Sequence, residues 1–350
     1  MPEISETELK KQIEKSSFAK LYFLYGEEKY LVGYYARKLT EKAGAQGPRD
    51  FNLQKFDGGD TGVDQIAEAA EALPVMAERK CVAVANLDAN ALHGAETEKL
   101  WELFSDLPDT CVLVIYILSF DFDERRDRNW KKFLMKANKA GVTVPLRRRS
   151  QAQLEKAVCA GAEKRGCEIT RQNAARMIGL CGDDMQTALN EMEKLCAYAG
   201  GGEITAQAVD LLTAKNLEAR VFDLSKAIMA GNSDRAYTIL GQLFYQNEEP
   251  VSILAVLSGA YLDLYRVKAA LQSGYTAMEP AKYFDYARKE FRLKNAGYDA
   301  KRYSTAMLRQ SLAALLDADT ALKSSRGDRR LILEKLIAQL IWITEKEKMN

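Results

Sequence analysis

The residues whose order comes nearest to a reactive site are Gly26-Glu27-Glu28-Lys29-Tyr30-Leu31, which follow the apolar run Leu21 to Tyr25. A glycine between a first strand and a helix is where a parallel sheet can hold a phosphate, because the helix's first amides are unsatisfied donors. The P-loop achieves this with G-x-x-x-x-G-K-[ST]: the glycines let the backbone wrap the phosphates, the lysine neutralises them and the hydroxyl holds magnesium. Here two carboxylates stand where phosphates would lie, and there is neither a second glycine nor a Lys-Ser/Thr pair. The dinucleotide pattern G-x-G-x-x-G is also missing. Of the carboxylates that would hold magnesium or activate water after a middle strand, only Asp88 is in place, with Ala89 beside it. The expectation is a domain that hydrolyses nothing, with no cofactor and no metal.

The remaining reactive side chains add little. His93 is the single histidine, so any Ser/His or Cys/His chemistry would depend on it alone. Cys81, Cys111, Cys159, Cys167, Cys181 and Cys196 lie far apart with no C-x-x-C spacing, which argues against a zinc site and a disulfide framework and for buried thiols.

The elements that must position these residues fall into two styles. From Leu21 to about Val144, five short apolar strands alternate with helices: Leu21–Tyr25, Leu53–Phe56, Cys81–Ala85, Cys111–Leu118 and Val142–Val144. That alternation predicts a parallel sheet covered on both faces. Past Pro145 the strands stop. Gln151 to Arg165, Arg171 to Leu180 and Asp183 to Ala199 read as helices of a small domain, with joints at Gly166, Gly182 and Gly200-Gly201-Gly202. From about Glu218 the helices lengthen. Ile253, Leu257, Tyr261, Leu264 and Val267 share one face, and Ile332, Leu336, Leu340 and Ile343 another, which predicts a bundle able to stand alone.

Length and charge bound the partners. A chain of 350 residues allows two or three domains. A net charge of +1 supplies no global field to draw in nucleic acid or anionic lipid, so such binding must be local. There is no run of eighteen apolar residues and no secretory layout at the start, so a cytosolic, non-membrane protein is expected.

One more stretch stands out. Ala72-Leu73-Pro74-Val75-Met76-Ala77-Glu78-Arg79-Lys80 runs into the strand Cys81 to Ala85. A helix ending at Leu73 meets Pro74, which fixes its own backbone and pushes the residue before it out of helical geometry. Val75 and Met76 sit on the resulting corner. Spacing alone leaves two readings: the last core residues before the strand, or an apolar tip held out for a partner's pocket.

The chain resembles the delta subunit family of bacterial DNA polymerase III along nearly its whole length. The resemblance is carried by Phe23 to Leu31, by Leu73 to Val82, by Gly182-Asp183-Asp184-Met185 with Leu189 to Leu195, and by Leu315 to Lys323 followed by Arg330 to Glu334. It implies an α/β plus all-α protein: a degenerate AAA+ (RecA-like) parallel-sheet domain at 1–145 that binds the sliding clamp, a small helical lid domain at 146–214, and a C-terminal helical collar bundle at 215–350 for oligomerisation. It implies a clamp-loader subunit that binds and opens the clamp for loading on primed DNA in replication, without hydrolysing ATP, within the DNA-directed DNA polymerase (nucleotidyltransferase) holoenzyme. Its partners would be the beta sliding clamp, the tau/gamma and delta prime subunits through the collar, and primer-template DNA, in the bacterial cytoplasm at the replisome.

Carried over onto this sequence, the clamp-binding pair is Val75 and Met76, flanked by Leu73 and Pro74. Other family members often have a larger, aromatic second residue; Met76 is a departure, softened by methionine's adaptability to irregular pockets. The degenerate nucleotide loop is Gly26, Glu27, Glu28 and Lys29. Gln186 stands where an active relative's lid helix would carry a phosphate-sensing arginine.

DNA contact is read from local charge. Arg288, Lys289, Arg292, Lys294, Lys301 and Arg302, with Arg309, are offset only by Glu290 and Asp299, which suits phosphate contacts as well as a solvated helix face. Arg147-Arg148-Arg149 is a second basic run, and Tyr275, Tyr283 and Tyr286 are able to stack on bases or to pack in a core. Two other readings compete: a divergent ATP-binding AAA+ protein, and a stand-alone DNA-binding adaptor in replication or repair.

Overall fold

The computed structural model describes residues 3–286, 290–324 and 327–349, which fold as two compact units, 1–149 and 150–350. The first unit is a five-stranded, wholly parallel sheet in the order β2-β3-β4-β1-β5. Its strands are β1 (Leu21–Tyr25), β2 (Leu53–Asp57), β3 (Lys80–Ala85), β4 (Cys111–Tyr116) and β5 (Val142–Pro145), within a residue or two of the sequence reading. The helices are α1 (Glu6–Lys15), α2 (Lys29–Ala43), α3 (Arg49–Asn52), α4 (Val63–Glu71), α5 (Ala95–Ser105) and α6 (Arg128–Ala140).

Both faces of the sheet are covered, which is why its central strands, apart from Lys80 at the start of β3, read as continuous apolar and aromatic runs rather than alternating ones. Leu21, Phe23, Val82, Val84, Leu113 and Ile115 share a core with Leu100 and Phe104 of α5 and Trp130 and Phe133 of α6. Phe23 stacks on Trp130 with ring centroids 6.0 Å apart, and Phe122 covers Trp130 at 3.8 Å. On the other face Tyr22 donates its hydroxyl proton to Gln12 Oε1 of α1 at 2.7 Å.

The first unit ends at Arg149. The Leu146 N–H donates to the Tyr25 carbonyl at 2.7 Å, and Arg149 pairs with Glu6 of α1 at 2.6 Å, so the chain leaves the sheet domain only after both contacts.

The second unit is helical: α7 (Gln151–Glu163), α8 (Arg171–Cys181), α9 (Met185–Ala199), α10 (Ala206–Leu212), α11 (Leu217–Ala230), α12 (Ser233–Tyr245), α13 (Pro250–Gln272), α14 (Glu290–Asp299), α15 (Thr305–Ser324) and α16 (Arg329–Met349). Its caps match the sequence: Ser150, Thr170, Asp184, Thr205, Asn216 and Asn232 each accept a backbone N–H at a helix start. α13 is long and apolar enough by length and composition to cross a membrane, yet its apolar face lies in the core of this unit and it carries a buried Asp263.

Candidate functional site

The corner after β1 is closed. Gly26 has φ 134°, a conformation glycine alone tolerates well. A Cβ there would lie 2.2 Å from the Leu146 carbonyl oxygen, which also accepts the Glu28 N–H at 3.1 Å. Leu146, leaving β5, therefore packs against the loop where a P-loop would open around phosphates. Glu28 is buried, and Lys29, the loop's one cation, donates to the Phe120 carbonyl at 2.6 Å and pairs with Asp121 at 2.8 Å. Gly26→Ala is expected to lower stability by on the order of 3 kcal/mol, read by chemical denaturation, because backbone strain and a backbone clash act together.

Of the other reactive groups, His93 is exposed in the turn before α5. The six cysteines are free; five are buried and Cys159 is half-buried. Burial pushes the Cys111 and Cys181 thiols up to about 11, so they stay protonated and weakly nucleophilic at neutral pH. Among the described residues no group of three His, Cys, Asp or Glu is placed to hold a metal.

The stretch between α4 and β3 departs from the sequence reading in one respect. α4 ends at Glu71 rather than Leu73, and Ala72 is already extended at ψ 142°. The proline restriction acts on Leu73; the helix gives way before it, at Glu71, so Val75 and Met76 sit on a loop, not on a helix end. On that loop Leu73 is 79% exposed, Val75 39% and Met76 89%, with Pro74 half-buried between them. The core reading of Met76 is thereby excluded, and Val75 is only partly covered.

The loop has a fixed shape. Val75 donates its N–H to Asn52 Oδ1 at 2.8 Å, and Asn52 Nδ2 donates to the Val75 carbonyl at 2.7 Å and to the Gln46 carbonyl at 2.9 Å. The Glu78 N–H donates to Gln46 Oε1 at 3.2 Å. Met76 takes a left-handed φ of 49°, unfavourable by about 1–2 kcal/mol for a residue with a Cβ. On the return, the Arg79 guanidinium covers the Phe18 ring at 5.5 Å and Lys80 enters the sheet buried, its pKa pulled below the ordinary lysine range by that burial. Sequence reasoning did not find Asn52, nor its neighbour Phe51, which is exposed beside this loop's anchor. No short-range pattern links Asn52 to Val75, 23 residues away.

In the second unit Gln186 donates to Asn190 at 2.8 Å on α9. Of the basic residues read as DNA contacts, Arg288 and Lys289 lie outside the described residues. Lys294, Lys301 and Arg302 are exposed, as is Arg309. Arg292 is half-buried and donates from Nε to Asp263 at 2.7 Å, so that cation is held inside the unit. Tyr286 is buried, with its hydroxyl on Asp263, while Tyr275 and Tyr283 are exposed. Arg147 and Arg148 are exposed in the first unit, and Arg149 is half-buried on Glu6.

Two family profiles match the chain: that of the DNA polymerase III delta subunit over residues 22–143, and that of the delta subunit's C-terminal domain over 218–340. DNA polymerase III subunit delta of Bacillus subtilis is 26% identical over 342 residues, covering 96% of this chain and 97% of the relative. The Escherichia coli subunit delta is 26% identical over 308 residues, covering 87% of each. Among solved structures, the DNA clamp loader delta protein of Bacillus subtilis superposes with a TM-score of 0.56 at 25% identity, covering 96% of this chain and 99% of that one. With the sheet and helical units each matched in order, the chain belongs to the DNA polymerase III delta subunit family, a parallel-sheet unit followed by helices.

Proposed function

We propose that this chain is the clamp-opening subunit of a replicative clamp loader, which binds the sliding clamp through Leu73, Pro74, Val75 and Met76 and does not itself hydrolyse ATP. The observation that carries this reading is the pair Val75 and Met76, apolar and exposed on a loop that Asn52 pins by two hydrogen bonds to the Val75 backbone. Unpartnered apolar side chains on a rigid support are what a binding hot spot requires. That a solved relative is a DNA clamp loader delta protein supports the sliding clamp as the partner they fit.

In this reading the sheet domain, 1–145, presents the tip. A lid at 146–214 follows it, and a collar at 215–350 joins the tau/gamma and delta prime subunits in a ring in the bacterial cytoplasm. The closed corner at Gly26 supports a subunit that takes its signal from neighbours. ATP on those neighbours favours a ring geometry that exposes the tip, and clamp binding in turn stabilises an opened clamp interface. Lys294, Lys301 and Arg302 are the exposed cations best suited to primer-template phosphates within that ring.

Isothermal titration of the isolated chain with ATP and magnesium is expected to give no saturable heat. Saturable binding would favour the divergent ATP-binding reading instead. A pull-down of the chain with the sliding clamp of the same organism tests the main reading directly.

A further inference from the structure

The shape of the apolar loop is set from outside it. A left-handed Met76 is a conformation this residue would leave if free, since an L side chain there crowds its own carbonyl. What holds it is the carboxamide of Asn52, the last residue of the one-turn helix α3, whose side chain is wholly buried. Its oxygen accepts the Val75 N–H while its nitrogen donates to the Val75 and Gln46 carbonyls, so the residue before Met76 is gripped on both backbone groups. Gly47 packs directly against this grip. At φ 68° it passes so close that a Cβ would lie 2.5 Å from the Val75 oxygen and 2.9 Å from the Met76 oxygen.

We propose that Asn52 is the positioning residue of the docking tip: it holds Val75 and Met76 in their bound shape before the clamp arrives, and so sets affinity without touching the partner. This rests on the reading of the tip as the clamp-binding element. The chemistry requires a carboxamide, because it offers an acceptor to the Val75 N–H and donors to two carbonyls at once. Aspartate keeps the acceptor and loses both donors, placing its charge against the Val75 and Gln46 carbonyl oxygens. Leucine keeps the volume and loses all three bonds. With the grip gone, the side chains that meet the clamp are unchanged, but the competent shape is one of several. The apparent Kd rises by the inverse of its population, so a tip competent one-tenth of the time binds about tenfold more weakly.

The test measures clamp affinity for the full chain carrying Asn52→Asp, Asn52→Leu or Val75→Ala with Met76→Asp, beside wild type, together with amide hydrogen exchange at Val75. The expected result is a Kd raised about tenfold or more by both Asn52 variants, with faster exchange at Val75 and thermal unfolding still cooperative. If the Val75/Met76 variant binds as wild type does, the docking reading itself fails. If that variant loses binding while both Asn52 variants keep wild-type affinity, the positioning role alone is overturned. Weaker binding with unaltered Val75 exchange also overturns it, since the loop would then have kept its shape. Should the variants not fold, the wild-type chain still decides. Its Val75 N–H, outside every helix and strand, must exchange slowly, and exchange at the rate of an unprotected loop removes the proposal.

Discussion

Val75→Ala combined with Met76→Asp is expected to weaken binding to the sliding clamp at least about a hundredfold while leaving the fold intact. Full burial of an aliphatic or thioether side chain contributes about 1.5–3 kcal/mol, so the pair supplies about 3–6 kcal/mol before ordering costs. Each 1.4 kcal/mol is about a factor of ten. Aspartate goes further than removal, because it brings an unpaired charge to an apolar pocket, where desolvation opposes it. Stability responds differently. Met76 is 89% exposed and left-handed, and aspartate tolerates that conformation better than methionine does. Val75→Ala removes partly covered methyl groups and costs about 1 kcal/mol or less. Clamp affinity by surface plasmon resonance beside a thermal melt separates the two effects. A large fall in melting temperature would mean that the loop's fold depends on the pair, and unaltered affinity would end the docking reading.

The contrast between the sheet and this loop shows what local sequence carries. β1, β3 and β4 were legible because strands buried on both faces read as near-continuous apolar runs, as in Leu21 to Tyr25, Cys81 to Ala85 and Cys111 to Tyr116. α1 escaped the reading because it buries only Leu9 and Ile13, too few to display a period, although Ser5 and Glu8 carry the spacing of a helix start and the Ser5 hydroxyl accepts the Glu8 N–H. The four-residue α3 is too short for any period, and with it went Asn52. At the tip, Val75 and Met76 have the composition of a core and the exposure of an interface. What decides between them is a hydrogen-bond partner brought near by β2 pairing alongside β3, a nonlocal fact. In the same way Arg292 reads as one more cation of a basic stretch until α13 places Asp263 against it.

That ion pair supports the second large effect. Asp263→Ala is expected to destabilise the helical unit by about 3 kcal/mol, toward the lower end for breaking a buried pair because Arg292 keeps some access to water. Asp263 lies almost fully buried on α13 and accepts from Tyr286 Oη at 2.5 Å and from Arg292 Nε at 2.7 Å. The Tyr286 oxygen also accepts from Arg266 Nη1 at 3.0 Å, and the Arg266 guanidinium covers the Phe284 ring at 3.7 Å. Burial, with the bond to Asp263, holds the Tyr286 pKa above its ordinary value, so it remains a neutral donor across the working range. One carboxylate thus fastens both Tyr286 and α14 to α13, and α14 carries Lys294 and leads directly to Lys301 and Arg302. Losing it leaves a guanidinium and a phenol without their acceptor and frees the helix that carries the cations. Asp263→Asn keeps an acceptor for Tyr286 but drops the charge facing Arg292, so it should fall between wild type and alanine. Chemical denaturation reads the stability, and hydrogen exchange across 279–302 reads the loosening. If Asp263→Ala unfolds within about 0.5 kcal/mol of wild type, the network does not hold that segment.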